Sequence, residues 1–134
     1  VPSQLLSEYL GVGCGAPAPA LFANSAPVSP NANFALRTLA APAAAVVFAF
    51  AGQSANVPLG GGCTLFLEQT QLIATHLVLA DASGVASWAL PIPPGLLLTD
   101  FAAQAFEVVA GGPIAGVIAG SNGLHLRAAG SGCP

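Results

Sequence analysis

The sequence contains very few charged side chains. Of its 134 residues, 5% are charged and 54% are hydrophobic, and none is lysine. Ordinary soluble domains are about one quarter charged. A domain of this size cannot bury so much apolar material in its own core, so some outward faces must be apolar. Large apolar patches on a surface usually mark contacts, and we expect the partner to be another copy of the same chain.

The scarcity of charge also excludes several classes of partner. The formal net charge is −3, with two arginines as the only strong bases. Without a basic surface, binding to nucleic acid or to an anionic membrane is disfavoured. A membrane-spanning helix needs about 20 uninterrupted apolar residues, whereas residues 39–51 are too few and contain Pro42, and residues 85–98 are broken by prolines. We expect no integral membrane segment.

Methionine is absent and cysteine is scarce. The chain begins at Val1, which favours a secreted, extracellular or cell-surface protein that has lost its signal peptide, although a fragment of a longer chain would look the same. None of the three cysteines has the CxxC spacing typical of zinc sites. Cys14 and Cys63 each lie in a glycine-rich setting, which favours a disulfide between them over three reduced thiols. Cys133 is then either free or paired with another subunit.

Helical patterns are nearly missing, because 16 glycines and 12 prolines interrupt the chain every few residues. The apolar segments between them are short and alternate with a period of two. We predict an all-β fold, an antiparallel β-sandwich of about eight strands, with a closed β-barrel as the alternative. Residues 81–84 and 121–123 are predicted hairpin turns. The strands are expected at about 18–24, 33–40, 44–52, 63–69, 71–80, 85–92, 97–110 and 113–128, with the last one broken at 121–123.

The alternation also predicts which side chains face outwards. The outward positions hold mostly alanine, valine, serine and threonine, and they include Phe66. His125 is expected on an outward face because it alternates with Leu124 and Leu126. Such small, uncharged faces suit packing between subunits and lack the charges that normally stop sheet edges from pairing.

The N-terminal region differs from the rest of the chain in its sequence composition. We divide the sequence into an apolar arm at 1–17, a β-sandwich domain at 18–129 and a short tail at 130–134. The candidate assembly side chains of the arm are Leu5, Leu6, Tyr9 and Leu10. The arm is expected either to pack on its own domain or to complete a neighbour's sheet by strand addition.

Several segments, taken in order, resemble a known family. These segments are 11–15, 58–65, 84–93, 101–105 and 121–124. Their order is similar to that of a β-rich domain in predicted secreted proteins of planctomycetes and deltaproteobacteria-like bacteria. The resemblance implies an extracellular β-domain with a Cys14–Cys63 disulfide and no established activity.

Residues that could support catalysis lack a recognisable setting. His76, Asp81 and Ser54 are the nearest approach to a triad, but the residues around Ser54 lack the last glycine of a nucleophile elbow. Turn and strand-end roles explain the other candidate acids, whose spacing is too wide for calcium. Those acids are Glu68, Asp100 and Glu107. We expect no enzyme activity, no metal and no cofactor.

These expectations favour a structural role. We predict a subunit that self-assembles head to tail into an extracellular fibre or surface layer. The alternative is a non-catalytic module that binds polysaccharide or mediates adhesion, since β-sandwiches often bind sugars. Trp88 is the best aromatic platform for a glycan, but it shares its parity with Leu90, which favours packing in the core.

Overall fold

The computed structural model describes residues 7–25, 28–29, 32–91 and 99–130. These residues form twelve β-strands and one short 3-10 turn, Gln69–Gln71. None of them forms a helix long and apolar enough to cross a lipid bilayer. The strands are β1 (Ser7–Leu10), β2 (Ala20–Ala23), β3 (Val28–Ser29), β4 (Ala35–Leu39), β5 (Ala45–Ala51), β6 (Ser54–Gly60), β7 (Cys63–Leu67), β8 (Leu72–Leu79), β9 (Val85–Ala89), β10 (Thr99–Gly112), β11 (Gly116–Gly120) and β12 (Gly123–Gly130).

The larger sheet joins distant parts of the chain. Its main strands are antiparallel and follow the order β1-β12-β10-β5-β8, so β1 and β8 are its edges. Strand β10 pairs with β12 near its start and with β11 near its end. Strands β11 and β12 therefore follow one another along one side of β10. The hairpin predicted at 121–123 is wrong, because these two strands pair with β10 and not with each other.

The smaller sheet has the order β2-β4-β9 and packs on the inner face of the larger sheet. Strand β4 shows the alternation that produces this packing. Leu36 and Thr38 are fully buried, whereas Arg37 and Leu39 are exposed. The core between the two sheets comprises Leu21, Phe34, Leu36, Val46, Phe48, Ala80, Ala86, Ala103, Ala105, Leu124 and Leu126. The predicted β-sandwich is confirmed.

The hairpin β6–β7 adds a third layer on the outer face of the larger sheet. Leu67 of β7 packs with alanines of β5 and β10, namely Ala49, Ala51 and Ala102. Strand β6 was not predicted because its sequence contains Pro58 and few of the residues that favour strands. Its side chains are mostly exposed, since only β7 pairs with it among the described strands.

Phe66 is buried by the same third layer. Its exposure is 6%, so the prediction that it faces outwards is wrong. A Cβ atom built on Gly11 or Gly123 would lie 2.5 Å from atoms of the Phe66 side chain. Glycine at these two positions therefore leaves room for the ring. The alternation along β7 correctly separates the two faces of the strand. It could not show that both of these faces are covered in the folded protein.

The turn at residues 81–84 connects the two sheets. The Asp81 carboxylate accepts hydrogen bonds from the backbone N–H groups of Ser83 and Val85, at 2.8 and 3.0 Å. The flanking strands β8 and β9 belong to different sheets and do not pair. The predicted turn is present, but it is a corner between sheets and not a hairpin.

The N-terminal arm is joined to the sandwich over its described part. Strand β1 pairs with β12, and Cys14 forms an isolated β-bridge with Gly120. Leu5, Leu6 and Cys133 lie outside the described residues, as do residues 92–98, where two predicted strands were expected to end and begin. The described residues thus contain twelve strands, where about eight were predicted for the chain.

Candidate functional site

Strand β8 is an open edge of the larger sheet. The Ala80 N–H donates to the Ala44 carbonyl at 2.8 Å, which fixes the direction of the backbone groups along the strand. Because neighbouring residues of a strand point their N–H and C=O groups to opposite sides, those of Thr75, Leu77 and Leu79 point away from β5. No other described strand pairs with β8 on that side. Within the described part of the chain, the edge therefore presents backbone donors and acceptors that no strand pairs.

The side chains of β8 are unusually apolar for an edge. Exposed fractions are 58% for Ile73, 63% for Leu77 and 69% for Leu79. The strand has no charged residue and no proline. Natural edge strands usually carry such residues because they block pairing with other chains. An edge without them is suited to strand pairing.

The apolar surface continues from β8 across the outer face of the sheet. Leu79 lies beside Ala45, which lies beside Val108, and Val108 is 50% exposed. Leu77 lies beside the half-buried Val47. We call these five residues the β8 patch. The hairpin β6–β7 packs farther along the same face of the sheet. The hydrophobic cluster at that position includes none of these five residues.

Strand β1 forms the opposite edge of the sheet. Tyr9 lies beside Leu124, and Leu10 lies beside Gly123, so one side of β1 is already paired within its own chain. The Tyr9 side chain is 65% exposed. The other side of β1 has no partner among the described strands. The larger sheet is therefore open at both edges over its described part.

The disulfide between Cys14 and Cys63 is present. Their Cα atoms are 5.2 Å apart, and both residues are buried. Cys14 lies between β1 and β2, and Cys63 begins β7, so the bond fastens the third layer to the N-terminal segment. The pairing predicted from the sequence is confirmed.

Removal of this bond is expected to lower the free energy of unfolding by about 4 kcal/mol. The two residues are 49 positions apart, and closing a loop of that size in the unfolded chain corresponds to about 4 kcal/mol. Urea denaturation of Cys14→Ser with Cys63→Ser should measure the loss, with Cys133→Ser as the control. Mass spectrometry of an unreduced digest should show Cys14 linked to Cys63. Alkylation of both without prior reduction would contradict the structure.

Four of the few ionisable side chains form a cluster at the β1 edge. His125 Nδ1 lies 3.6 Å from Glu8 Oε1, and His125 Nε2 lies 3.4 Å from Asp100 Oδ1. Arg127 Nε donates to Asp100 Oδ1 at 2.9 Å. This hydrogen bond, with the positive charge, lowers the pKa of Asp100. The ionised Asp100 therefore stabilises the folded protein at any pH above the ordinary pKa of aspartate. This stabilisation is lost as the pH falls through the lowered pKa of Asp100. His125 is only partly exposed, with 25% of its side chain accessible.

A polar cleft lies beside this cluster. Its volume is about 330 Å³, and its lining is mostly polar. The lining residues are Gly52, Gln53, Ser54, Gln71, Asp100, Phe101 and His125. The Phe101 ring itself packs on Phe50 against the core. Amides, hydroxyls and carboxylates can hydrogen-bond to the hydroxyl groups of a sugar.

The residues considered for a catalytic triad each have other contacts. His76 stacks on Trp88 with ring centroids 5.3 Å apart, Asp81 stabilises the corner at 81–84, and Ser54 lines the polar cleft. Glu68 accepts hydrogen bonds from the Thr70 side chain and N–H. No nucleophile, base and acid are brought together in this set.

Trp88 packs against the core, as its parity predicts. Its ring centroid lies 6.0 Å from that of Phe48 and 6.3 Å from that of Phe50. The stacked His76 covers it from β8. Trp88 does not line the polar cleft.

Gln104 and Asn122 form buried hydrogen bonds that were not predicted from the sequence. The Gln104 amide accepts from the Phe66 N–H at 2.8 Å, and it donates to the carbonyls of Thr64 at 2.8 Å and Ser121 at 3.0 Å. Asn122 accepts from the Leu21 N–H and donates to the Leu21 carbonyl, at 3.0 and 3.1 Å. Gln104 thus joins β10 to the third layer, and Asn122 joins the larger sheet to the smaller one. The available signal was a single glutamine within the apolar segment 101–106.

Thr38 is the exception to this pattern of satisfied polar groups. Its side chain is fully buried, and its hydroxyl has no hydrogen-bond partner among the described residues. We expect Thr38→Val to raise the free energy of unfolding by about 1 kcal/mol, because a buried hydroxyl without a partner is unfavourable. Thr38→Ser, which keeps the hydroxyl and removes a methyl group, should lower it. Urea denaturation measures both, and a less stable valine variant would indicate an unseen partner.

Comparison with known proteins adds no family assignment. The chain matches no protein-family model and no curated protein. The resemblance to the β-rich domain of secreted bacterial proteins therefore stays a prediction. The open edge, the β8 patch and the clefts are the features of the molecule that point to a function.

Proposed function

We propose that this protein is a structural subunit that self-associates head to tail into an extracellular fibre or layer. The observation that carries the proposal is the open, uncharged and apolar edge at β8. The backbone groups of an exposed edge are best satisfied by another strand. A second copy supplies such a strand at its β1 edge.

The two edges lie on opposite sides of the same sheet, which makes the contact heterologous. Pairing of β8 with β1 of the next copy would leave the associated pair with one free β1 edge and one free β8 edge. Such a contact propagates into an open assembly, whereas an isologous contact stops at a dimer. Strand β1 would then lie between its own β12 and the neighbour's β8. This arrangement corresponds to the second role expected for the N-terminal arm, in which it completes a neighbour's sheet.

The distribution of charge supports association between copies. The ion pairs of the described residues all belong to the cluster of Glu8, Asp100, His125 and Arg127. The β8 patch carries no charge, so two copies do not repel one another there. The disulfide supports an extracellular setting, because such bonds persist in oxidising compartments.

Negative-stain microscopy of the purified protein tests the proposal. We expect regular fibres or layers without any added ligand, and their abundance should change little between low and high NaCl, because an apolar and backbone contact offers little for salt to screen. A protein that stays monomeric at high concentration would refute the proposal. Dissociation of assemblies by salt would indicate an ionic interface instead.

The second candidate function is polysaccharide binding, and the polar cleft favours it. Its lining includes Gln53, Gln71 and Asp100, whose amide and carboxylate groups can hydrogen-bond to a sugar. A ligand that binds only the folded state raises the unfolding temperature. A thermal shift with soluble glycans, compared between the wild type and Gln71→Ala, would detect such a site. A monomeric protein that a glycan stabilises would favour this function over assembly.

A further inference from the structure

A second cleft lies at the end of the sandwich where β4 and β10 finish. Its volume is about 540 Å³, which is within the range of small-molecule sites. Its walls are formed by residues 15–20, by residues 39–42, by the end of β10 and by Ala119. The wall side chains are those of alanine, proline, leucine and valine, with one exception.

The exception is Glu107. This carboxylate is more than nine-tenths buried, with an exposure of 4%. Its Oε2 atom accepts a hydrogen bond from the Ala41 N–H at 2.8 Å. Its Oε1 atom has no hydrogen-bond partner among the described residues but, unlike the enclosed Thr38 hydroxyl, keeps some accessible surface at the cleft. None of the ion pairs of the described residues includes Glu107. The sequence contains no lysine that could neutralise it.

A buried carboxylate with one hydrogen bond is unfavourable unless a positive group pairs with it. Apolar walls around a single negative charge are complementary to a molecule with an apolar body and one cationic end. We propose that this cleft binds a small organic cation, a primary ammonium on an apolar body, with its nitrogen against Glu107. The ammonium supplies three donors, and its hydrogen bond to the free oxygen is charge-assisted. This site is independent of the assembly edge.

The competing explanation is that Glu107 only anchors residues 40–44 through the Ala41 N–H. Glu107→Gln separates the two roles. The glutamine carbonyl can still accept from Ala41, but its amide carries no charge to attract a cation. The variant should therefore keep the fold and lose the selectivity for ammonium.

Isothermal titration calorimetry with a matched pair of probes tests the site. Cyclohexylmethylammonium chloride and cyclohexylmethanol have the same apolar body and differ in the cationic group. We expect the ammonium to bind wild-type protein with one site per chain and a dissociation constant on the order of 1 mM. The alcohol should bind at least about tenfold more weakly, since it lacks the charge that Glu107 complements.

The outcomes are distinct. A loss of ammonium affinity of about tenfold or more in Glu107→Gln, with an unchanged melting temperature, would support the site. Equal affinity of the ammonium and the alcohol, or no saturable binding of the ammonium, would overturn it. Because the comparison of probes uses wild-type protein, it decides the question even if the variant unfolds.

Discussion

The double substitution Leu77→Lys with Leu79→Lys is expected to prevent self-association and to leave the sandwich folded. Both side chains are mostly exposed in the single chain, so their replacement removes little from its own core. In the proposed contact they become buried, and together they would lose about 3 kcal/mol of apolar burial. That loss corresponds to about a hundredfold in the concentration required for assembly. Lysine is also the residue with which natural edges block strand pairing.

Sedimentation of assemblies as a function of protein concentration measures this effect. The matched control is Val57→Lys with Val117→Lys, which adds the same two charges at exposed valines away from β8. The control should sediment like the wild type, and circular dichroism should show an unchanged melting temperature for both variants. Assembly of the β8 variant at the wild-type concentration would show that the contact lies elsewhere.

The fold class followed from local pattern, because alternation with a period of two reports which residues share a face. Strand β4 and strand β12 show this most directly. Leu36 and Thr38 are buried against the exposed Arg37, and Leu124 and Leu126 are buried against the exposed Arg127. These elements could be predicted because each has one covered face and one open face.

Alternation failed where both faces of a strand are covered. Phe66 faces away from Leu67, yet both are buried, because β7 is covered on both of its faces. The third layer itself depends on contacts between residues far apart in sequence. The hydrogen bond from Phe66 to Gln104 spans 38 positions, and nothing in either local segment indicates the other.

Only part of the candidate assembly site could be predicted from the sequence. The scarcity of charge indicated an apolar surface, but it could not say which strand would form the edge. Strand β8 was predicted as one strand among eight, and its position at the edge depends on which strands pair with β5 and β10. The arm was expected either to pack on its own domain or to complete a neighbour's sheet, and in the structure its Tyr9 and Leu10 pair with β12 of the same chain. The arm's contact with a neighbour stays a prediction.

The largest effect on stability is expected at Gln104. This side chain is buried to 1% exposure and satisfies three backbone groups, the Phe66 N–H and the carbonyls of Thr64 and Ser121. In Gln104→Leu these three groups lose their partner and remain shielded from water. Each unsatisfied buried group costs about 1–3 kcal/mol. We therefore expect the free energy of unfolding to fall by about 5 kcal/mol.

Urea denaturation of Gln104→Leu measures this loss, and Gln69→Leu is the matched control. Gln69 lies in the exposed 3-10 turn, where the same exchange should change stability by less than about 0.5 kcal/mol. Hydrogen exchange of the Phe66 amide gives a local readout, because its proton is held by Gln104 in the wild type. We expect exchange at Phe66 to accelerate more than exchange at core amides of β5, since the third layer would detach before the sandwich unfolds. A loss below about 1 kcal/mol with unchanged protection at Phe66 would mean that other groups hold the third layer on the sheet.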